Sequence, residues 1–258
     1  MKTRINSLKL FAVSSLILLF ACEKNPSDPA EVTELTEIEQ MEIISVEVAE
    51  NDGGIMADIQ MASTTASNQP GSLPKTVGYD TTITNSWVTF SLSLSFYDSN
   101  GNEQPRYYEN QTDKIVYNGT VTGQYDPVSG LQEINLNRST NLELSGITTG
   151  KITLNGTSVN SSSYSFSGVR INLEAEAQST FTIENLVVDR NSPTYLPESG
   201  RLQAVVKGTY NKESLRQEKD VEYNINFVIE FNGGDEVSVT LASGTTFTLN
   251  IVTGEVTE

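Results

Sequence analysis

From about Ile83 to the C-terminus, apolar and polar residues alternate with a period of two, interrupted only by short turn signals. Val88, Phe90, Leu92, Leu94 and Phe96 fall on one face, and Thr89, Ser91, Ser93 and Ser95 on the other. Successive side chains of an extended chain point to opposite sides, so this pattern describes a strand with one dry and one wet face. Further alternating runs lie near 114–125, 131–137, 140–147, 150–155, 164–175, 180–188, 201–210, 221–231, 235–242 and 245–252. Turn signals separate them at Asp98-Ser99-Asn100-Gly101-Asn102, Asp126-Pro127-Val128-Ser129-Gly130, Asn155-Gly156, Asn232-Gly233-Gly234 and Ser243-Gly244. Connections this short leave no room for crossover helices, so consecutive strands should pair antiparallel. The expected fold class is mainly β: an antiparallel meander forming a curved sheet, half-barrel, barrel or sandwich, with a short helical segment before it. A transmembrane barrel also alternates, but the Ser/Thr-rich polar faces and the lack of aromatic girdles argue against one.

Upstream of the strands the period changes. Val32, Leu35, Ile38 and Met41 recur at steps of three among Glu31, Glu34, Glu37, Glu39 and Glu42, and Asp28-Pro29 offers a cap with proline in the first turn. An amphipathic helix is expected, although Ile43-Ile44-Ser45-Val46-Glu47-Val48 also reads as an alternating strand. Asp52-Gly53-Gly54 ends it, and 55–61 suits a further helical turn or two. Residues 23–60 hold eleven acidic residues and one lysine, Lys24. Charged helix faces are usually solvated, so the expectation is an acidic outer face over an apolar stripe packed on the β body, ahead of a surface for cations or a basic partner. The Ser/Thr/Asn/Gly/Pro-rich stretch that begins at Ala62 reads as a linker.

The first residues read as an export signal. Lys2, Arg4 and Lys9 precede the apolar run Leu10-Phe11-Ala12-Val13-Ser14-Ser15-Leu16-Ile17-Leu18-Leu19-Phe20, which closes on Ala21-Cys22. A basic head, a short apolar stretch and a small residue at the cut site make a secretory signal peptide. The stretch is short of the roughly 20 apolar residues that a transmembrane helix needs. Leu19-Phe20-Ala21-Cys22 resembles the lipobox of bacterial lipoproteins, with Phe20 bulkier than the family's usual residue there. The resemblance implies cleavage between Ala21 and Cys22, a diacylglyceryl group on the Cys22 sulfur and an acyl chain on its new amino group. Two or more chains anchor firmly, since each buried methylene contributes about 0.8 kcal/mol. It also implies the envelope of a Gram-negative bacterium, most readily the outer membrane, with membrane lipid as partner through acylated Cys22. The mature body is similar in composition to uncharacterised β-rich lipoproteins of such bacteria, a likeness that carries over no functional residue. The chain thus divides into a signal peptide (1–21), a lipidated tether (22–30), an acidic helical segment (31–61), a linker (62–80) and an antiparallel β domain (81–258).

Charge and composition narrow the function classes. Removing Lys2, Arg4 and Lys9 leaves 13 basic residues against 33 acidic ones, a net charge of -20 on the mature chain. Such a protein repels nucleic acid. There is no histidine, which removes Ser-His-Asp and Cys-His catalysis, His-ligated zinc and imidazole proton shuttling. Cys22 is the only cysteine, so the body forms no internal disulfide and rests on its core alone. Chemistry built from carboxylates, Ser, Lys or Tyr stays open.

Several groupings were weighed as sites. Asp98, Asn100, Asn102 and Glu109 have the ligand spacing of a helix-loop-helix calcium loop, but Glu103 stands where that loop needs glycine and the flanks read as strands, so a plain hairpin is expected. Glu174 and Glu176 share the face opposite Leu173, Ala175 and Ala177, as a solvated pair would. Tyr195, near Asp189-Arg190 and Pro197-Glu198, and Tyr107-Tyr108 beside Arg106 read as caps on the core edge. No catalytic residue, metal site or cofactor is expected. The function expected is that of a membrane-anchored, non-catalytic envelope protein whose β body binds a partner or an apolar ligand, or is structural; the competing reading is a surface glycan-binding or carboxylate-dependent hydrolase module.

Overall fold

The structure, a computed structural model, describes residues 34–67, 79–84, 88–125, 133–168, 171–214 and 218–257. Ala21 and Cys22, the expected helix cap at Asp28-Pro29 and the turn at 126–130 lie outside them. Residues Glu31–Glu258 make one compact unit.

The alternating sequence folds as its period demands. Among the described residues twelve strands form one antiparallel sheet: β1 Tyr79–Thr84, β2 Val88–Asp98, β3 Glu103–Gln104, β4 Thr112–Tyr125, β5 Glu133–Ser145, β6 Lys151–Ser167, β7 Ile171–Asp189, β8 Pro197–Ser214, β9 Glu218–Phe231, β10 Glu236–Leu241, β11 Thr246–Asn250 and β12 Val256–Thr257. The order follows the chain, with β3 as a short flap on β2, and the sheet does not close on itself. Of the architectures that the alternation allows, this is the open one. In β9, Lys219, Val221, Tyr223, Ile225, Phe227, Ile229 and Phe231 are buried, while Glu218, Asp220, Glu222, Asn224 and Asn226 are exposed.

Two helices cover the inner face: α1, Glu37–Val48, and α2, Ile55–Ser67, joined by a 3-10 turn at Glu50–Asp52. Gly53 leaves that turn in the left-handed region (φ 73°), and Gly54 lies so close to the end of α1 that a Cβ there would sit 2.4 Å from the Val48 carbonyl carbon. The pair forces the sheet to curl. Eleven neighbouring strands laid flat would span about 50 Å at the usual spacing of about 4.8 Å. A twelve-residue helix is only about 18 Å long, yet Asp58 of α2 bonds to β5, and α1 reaches β7 through Ser179 and β9 through Lys219. The C-terminal end closes over the helix corner, with Glu50 N–H on the Ile251 carbonyl, Asn51 N–H on Val252, and Ser45 Oγ donating to Gly254 O at 2.7 Å. No helix among the described residues is long and apolar enough to cross a membrane.

The stretch 43–48, which also alternates, is helical as part of the expected helical segment, because Thr36 and Glu39 build a capping box that starts α1. Four details differ from the sequence reading. α2 continues through 62–67 of the expected linker, where Ala62 and Ala66 are buried and the Ser63 and Thr65 hydroxyls bond back to the Ile59 and Met61 carbonyls. The run 164–175 is not one strand: the chain reverses between Ser167 and Ile171, with Gly168 N–H on Ile171 O. Conversely, Asn155-Gly156 is no turn but a bulge inside β6, where Gly156 (φ 153°) passes 2.1 Å, measured from an added Cβ, from Asn141 O. The separate runs expected at 131–137 and 140–147 likewise share one strand, β5, over Glu133–Ser145.

The acidic face of the helices is solvated only in part. Glu34, Glu37 and Glu42 are exposed, as expected, but Glu39, Glu47, Asp52 and Asp58 are buried, and Ile38, assigned to the apolar stripe, is 61% exposed. The buried acids point at the sheet because the sheet's inner face carries a polar band. Arg138 donates through Nε and Nη2 to the two Asp58 oxygens, both at 2.8 Å, and through Nη1 to Gly53 O. Thr140 also donates to Asp58, which leaves Ser158 as the donor in its 2.8 Å contact with Thr140. Glu47 accepts from Asn160, Ser162 and Ser179, spread over two strands.

Glu39 is the third such anchor. Burial alone would raise its pKa, but the hydrogen bond from Lys219 and those from the Thr36 backbone and hydroxyl outweigh burial and hold it below the ordinary 4.5. A carboxyl depressed on folding contributes stability above its unfolded pKa and loses it as pH falls through the folded value. Glu39→Gln should therefore be less stable than the parent at pH 7, with the gap closing as pH drops below about 4.5. Urea midpoints at pH 7, 5 and 3 test this; a gap that widens on acidification would refute it.

Candidate functional site

Beside α1, the far ends of β6, β7 and β8 border an open cleft of about 470 Å³. Its floor follows from register. Tyr164 pairs with Ala175, and Ala175 with Tyr210, so a small residue sits between two tyrosines. One row outward, Phe166 pairs with Leu173 and Leu173 with Lys212. α1 adds Glu42 and Val46, and Val256 of β12 closes the far side.

The lining is mostly apolar and its rim is open. Phe166 and Ile171, at the tip of the β6–β7 hairpin, are 36% and 41% exposed. Within the floor, the hydroxyls of Tyr164 and Tyr210 are buried and have no hydrogen-bond partner. Burial pushes both phenols up, Tyr164 with help from Tyr223 and the carboxyls of Glu47 and Glu42, and Tyr210 with help from Glu42 and Glu39, so both remain protonated donors. Lys212 stands at the rim, 3.5 Å from Glu39. Glu42 is open to the cleft but crowded by it, and burial raises its pKa against the pull of Lys212.

Such a cleft can bury an alkyl or ring surface, at about 25 cal/mol per Å² removed from water, and its floor contains two phenols whose hydroxyls no protein atom satisfies. Its size falls within the usual range of small-molecule pockets, roughly 300–1,000 Å³.

None of the groupings weighed from the sequence forms this site. Asp98 is occupied by its own turn: the Asn102 side chain and backbone and the Asn100 backbone donate to it, which lowers its pKa, and Gly101 takes φ 80° as a hairpin needs. Glu174 and Glu176 are exposed on the outer face. Tyr195 and Leu196 pack on the core edge, Arg190 donates to Ile147 O, and Tyr107 meets Phe96 edge-on at 6.1 Å. Arg106 lies over the Tyr108 ring at 4.9 Å. Among the described residues no group of three acidic, His or Cys side chains is placed to hold a metal ion. Sequence reasoning missed the cleft residues because each reads singly as core. The usable signal was Ala175 and Ala177 at inward positions of a strand that carries Phe181 and Ile183 further along the same face, since small residues on an inner face leave room. Compared with protein-family models, curated proteins and solved structures, the chain matches none.

Proposed function

We propose that this is a lipid-anchored, non-catalytic protein of a Gram-negative envelope, most readily the outer membrane, whose β body binds an apolar ligand in the cleft formed by Tyr164, Phe166, Ile171, Leu173, Tyr210 and α1. The observation that carries the ligand reading is the exposed apolar rim over a floor with unpaired phenol donors. The anchoring reading rests on the basic head, the apolar run and Leu19-Phe20-Ala21-Cys22. With the rim on the same molecule as the acyl chains, the body is held where amphiphiles are concentrated.

Two measurements test the two parts. In bacterial envelopes the parent should fractionate with membranes and carry the mass of its acyl groups, and Cys22→Ala should lose both; equal fractionation with no lipid mass would overturn the anchor. For the cleft, the mature chain 22–258 carrying Cys22→Ala, exported behind a conventional signal peptide, should bind one N-phenylnaphthylamine per molecule. Phe166→Asp with Ile171→Asp should weaken that at least tenfold, because two charges would be set on the apolar rim. Unchanged probe binding would remove the cleft from consideration. A second reading, glycan binding, is favoured by one feature: a groove of about 710 Å³ that sets Asn137, Ser161, Gln178, Lys207 and Thr209 beside Leu136 and Tyr223.

A further inference from the structure

Resting on the apolar-ligand reading, we infer that the cleft selects an uncharged single-chain amphiphile whose headgroup carries oxygen acceptors, the chemistry of an acylglycerol. Three observations lead there. First, Tyr164 and Tyr210 lie in one register row on either side of Ala175, are 4% and 1% exposed, and leave their hydroxyls without partners. Buried polar groups are normally paired, so two unpaired phenol donors in one row of the cleft floor call for acceptor oxygens such as ester or hydroxyl oxygens.

Second, the charges around the cleft are already committed. Lys212 and Lys219 both face Glu39, and Glu42 and Asp52 line the same space. Two cations against three acids leave no spare positive charge for a carboxylate or phosphate head. A cationic ammonium head, although the surplus acid would attract it, brings no acceptor oxygen for the two phenols. Desolvating either kind of charge without a partner is costly, so a neutral head is preferred.

Third, the volume suits one chain. A methylene takes up about the volume of a water molecule in the liquid, on the order of 30 Å³, so about 470 Å³ accommodates one chain of about a dozen carbons with a small head.

The test uses the mature chain 22–258 with Cys22→Ala, which retains the whole compact unit Glu31–Glu258. Bound N-phenylnaphthylamine is displaced by monododecanoylglycerol, dodecanoate and dodecyltrimethylammonium, each below its micellar concentration, so that only the head differs. The glycerol ester should displace at a concentration at least tenfold lower than either ion. Tyr164→Phe with Tyr210→Phe should erase that preference while the probe still binds and the thermal midpoint does not fall, since the deleted hydroxyls have no partners in the fold. If the probe binds but all three compete equally, an ion leads, or the double Phe variant keeps the preference, the headgroup proposal is overturned and the apolar cleft stands. If no probe binds, the cleft reading fails and this proposal fails with it.

Discussion

Replacing Asp58 with alanine should cost about 3–5 kcal/mol of folding stability, the usual penalty for stripping one partner from a buried ion pair. The pair is among the most enclosed polar contacts in the molecule: Arg138 and Asp58 are each almost fully buried and joined by two parallel hydrogen bonds of 2.8 Å. Without the carboxylate, the guanidinium keeps only Gly53 O, and the Thr140 hydroxyl loses its acceptor. A cation left in the apolar core is what makes the loss large; the pair itself is worth much less than its breakage costs. The double variant Asp58→Ala, Arg138→Met should therefore recover most of the loss, because it removes the stranded charge and fills part of the space. Urea unfolding of the mature chain measures both. A single variant within about 1 kcal/mol of the parent, or a double variant no better than the single, would show that the pair does not clamp α2 to β5.

A second large effect is expected at Glu47, the residue that ties α1 to the middle of the sheet. Its two oxygens accept from Asn160, Ser162 and Ser179, all neutral donors. Glu47→Ala orphans three buried donors beside Asn160 Oδ1, which already lacks a partner. An unpaired buried polar group costs about 1–3 kcal/mol, so a loss of about 3 kcal/mol or more is expected, concentrated in the docking of α1. Amide hydrogen exchange should show α1 losing protection ahead of β6–β9. Glu47→Gln keeps one acceptor oxygen but turns an NH₂ toward the hydroxyls, and should fall between the two. If alanine and glutamine variants unfold alike and both stay within 0.5 kcal/mol, on the order of an ordinary surface substitution, the three contacts are not holding the helix.

Both predictions have a bearing on function. The helices are stitched to the sheet by buried acids, so the inner face under them is structural core, and the proposed ligand space lies where the ends of β6–β8 run beside α1 without being filled by it. Glu39 ties the first turn of α1 to Lys212 and Lys219 at that end, and the small Ala175 between Tyr164 and Tyr210 leaves the volume open.

What the sequence determined by itself was local. A period of two, short turns and the absence of room for crossovers dictate an antiparallel meander, because strand geometry and chain connectivity are properties of neighbouring residues. The same local logic reads the hairpin at Asn100-Gly101 correctly and the turns at Asn232-Gly233-Gly234 and Ser243-Gly244. It fails where a distant partner decides. Gly156 is a bulge and not a turn because β5 and β7 pair along both sides of it, whereas the helix at Ile43–Val48, capped locally by Thr36 and Glu39, keeps to the expected helical segment. The acids of α1 and α2 read as solvated, since charged helix faces usually are, yet three point inward to Lys219, to Asn160 with Ser162 and Ser179, and to Arg138. Those partners lie 80 to 180 residues away in the chain. No spacing within either segment encodes that meeting. The cleft belongs to the same class: Tyr164, Tyr210 and Val46 are unremarkable core letters one at a time, and only the register of three strands and the placing of α1 beside them bring them around an unfilled volume.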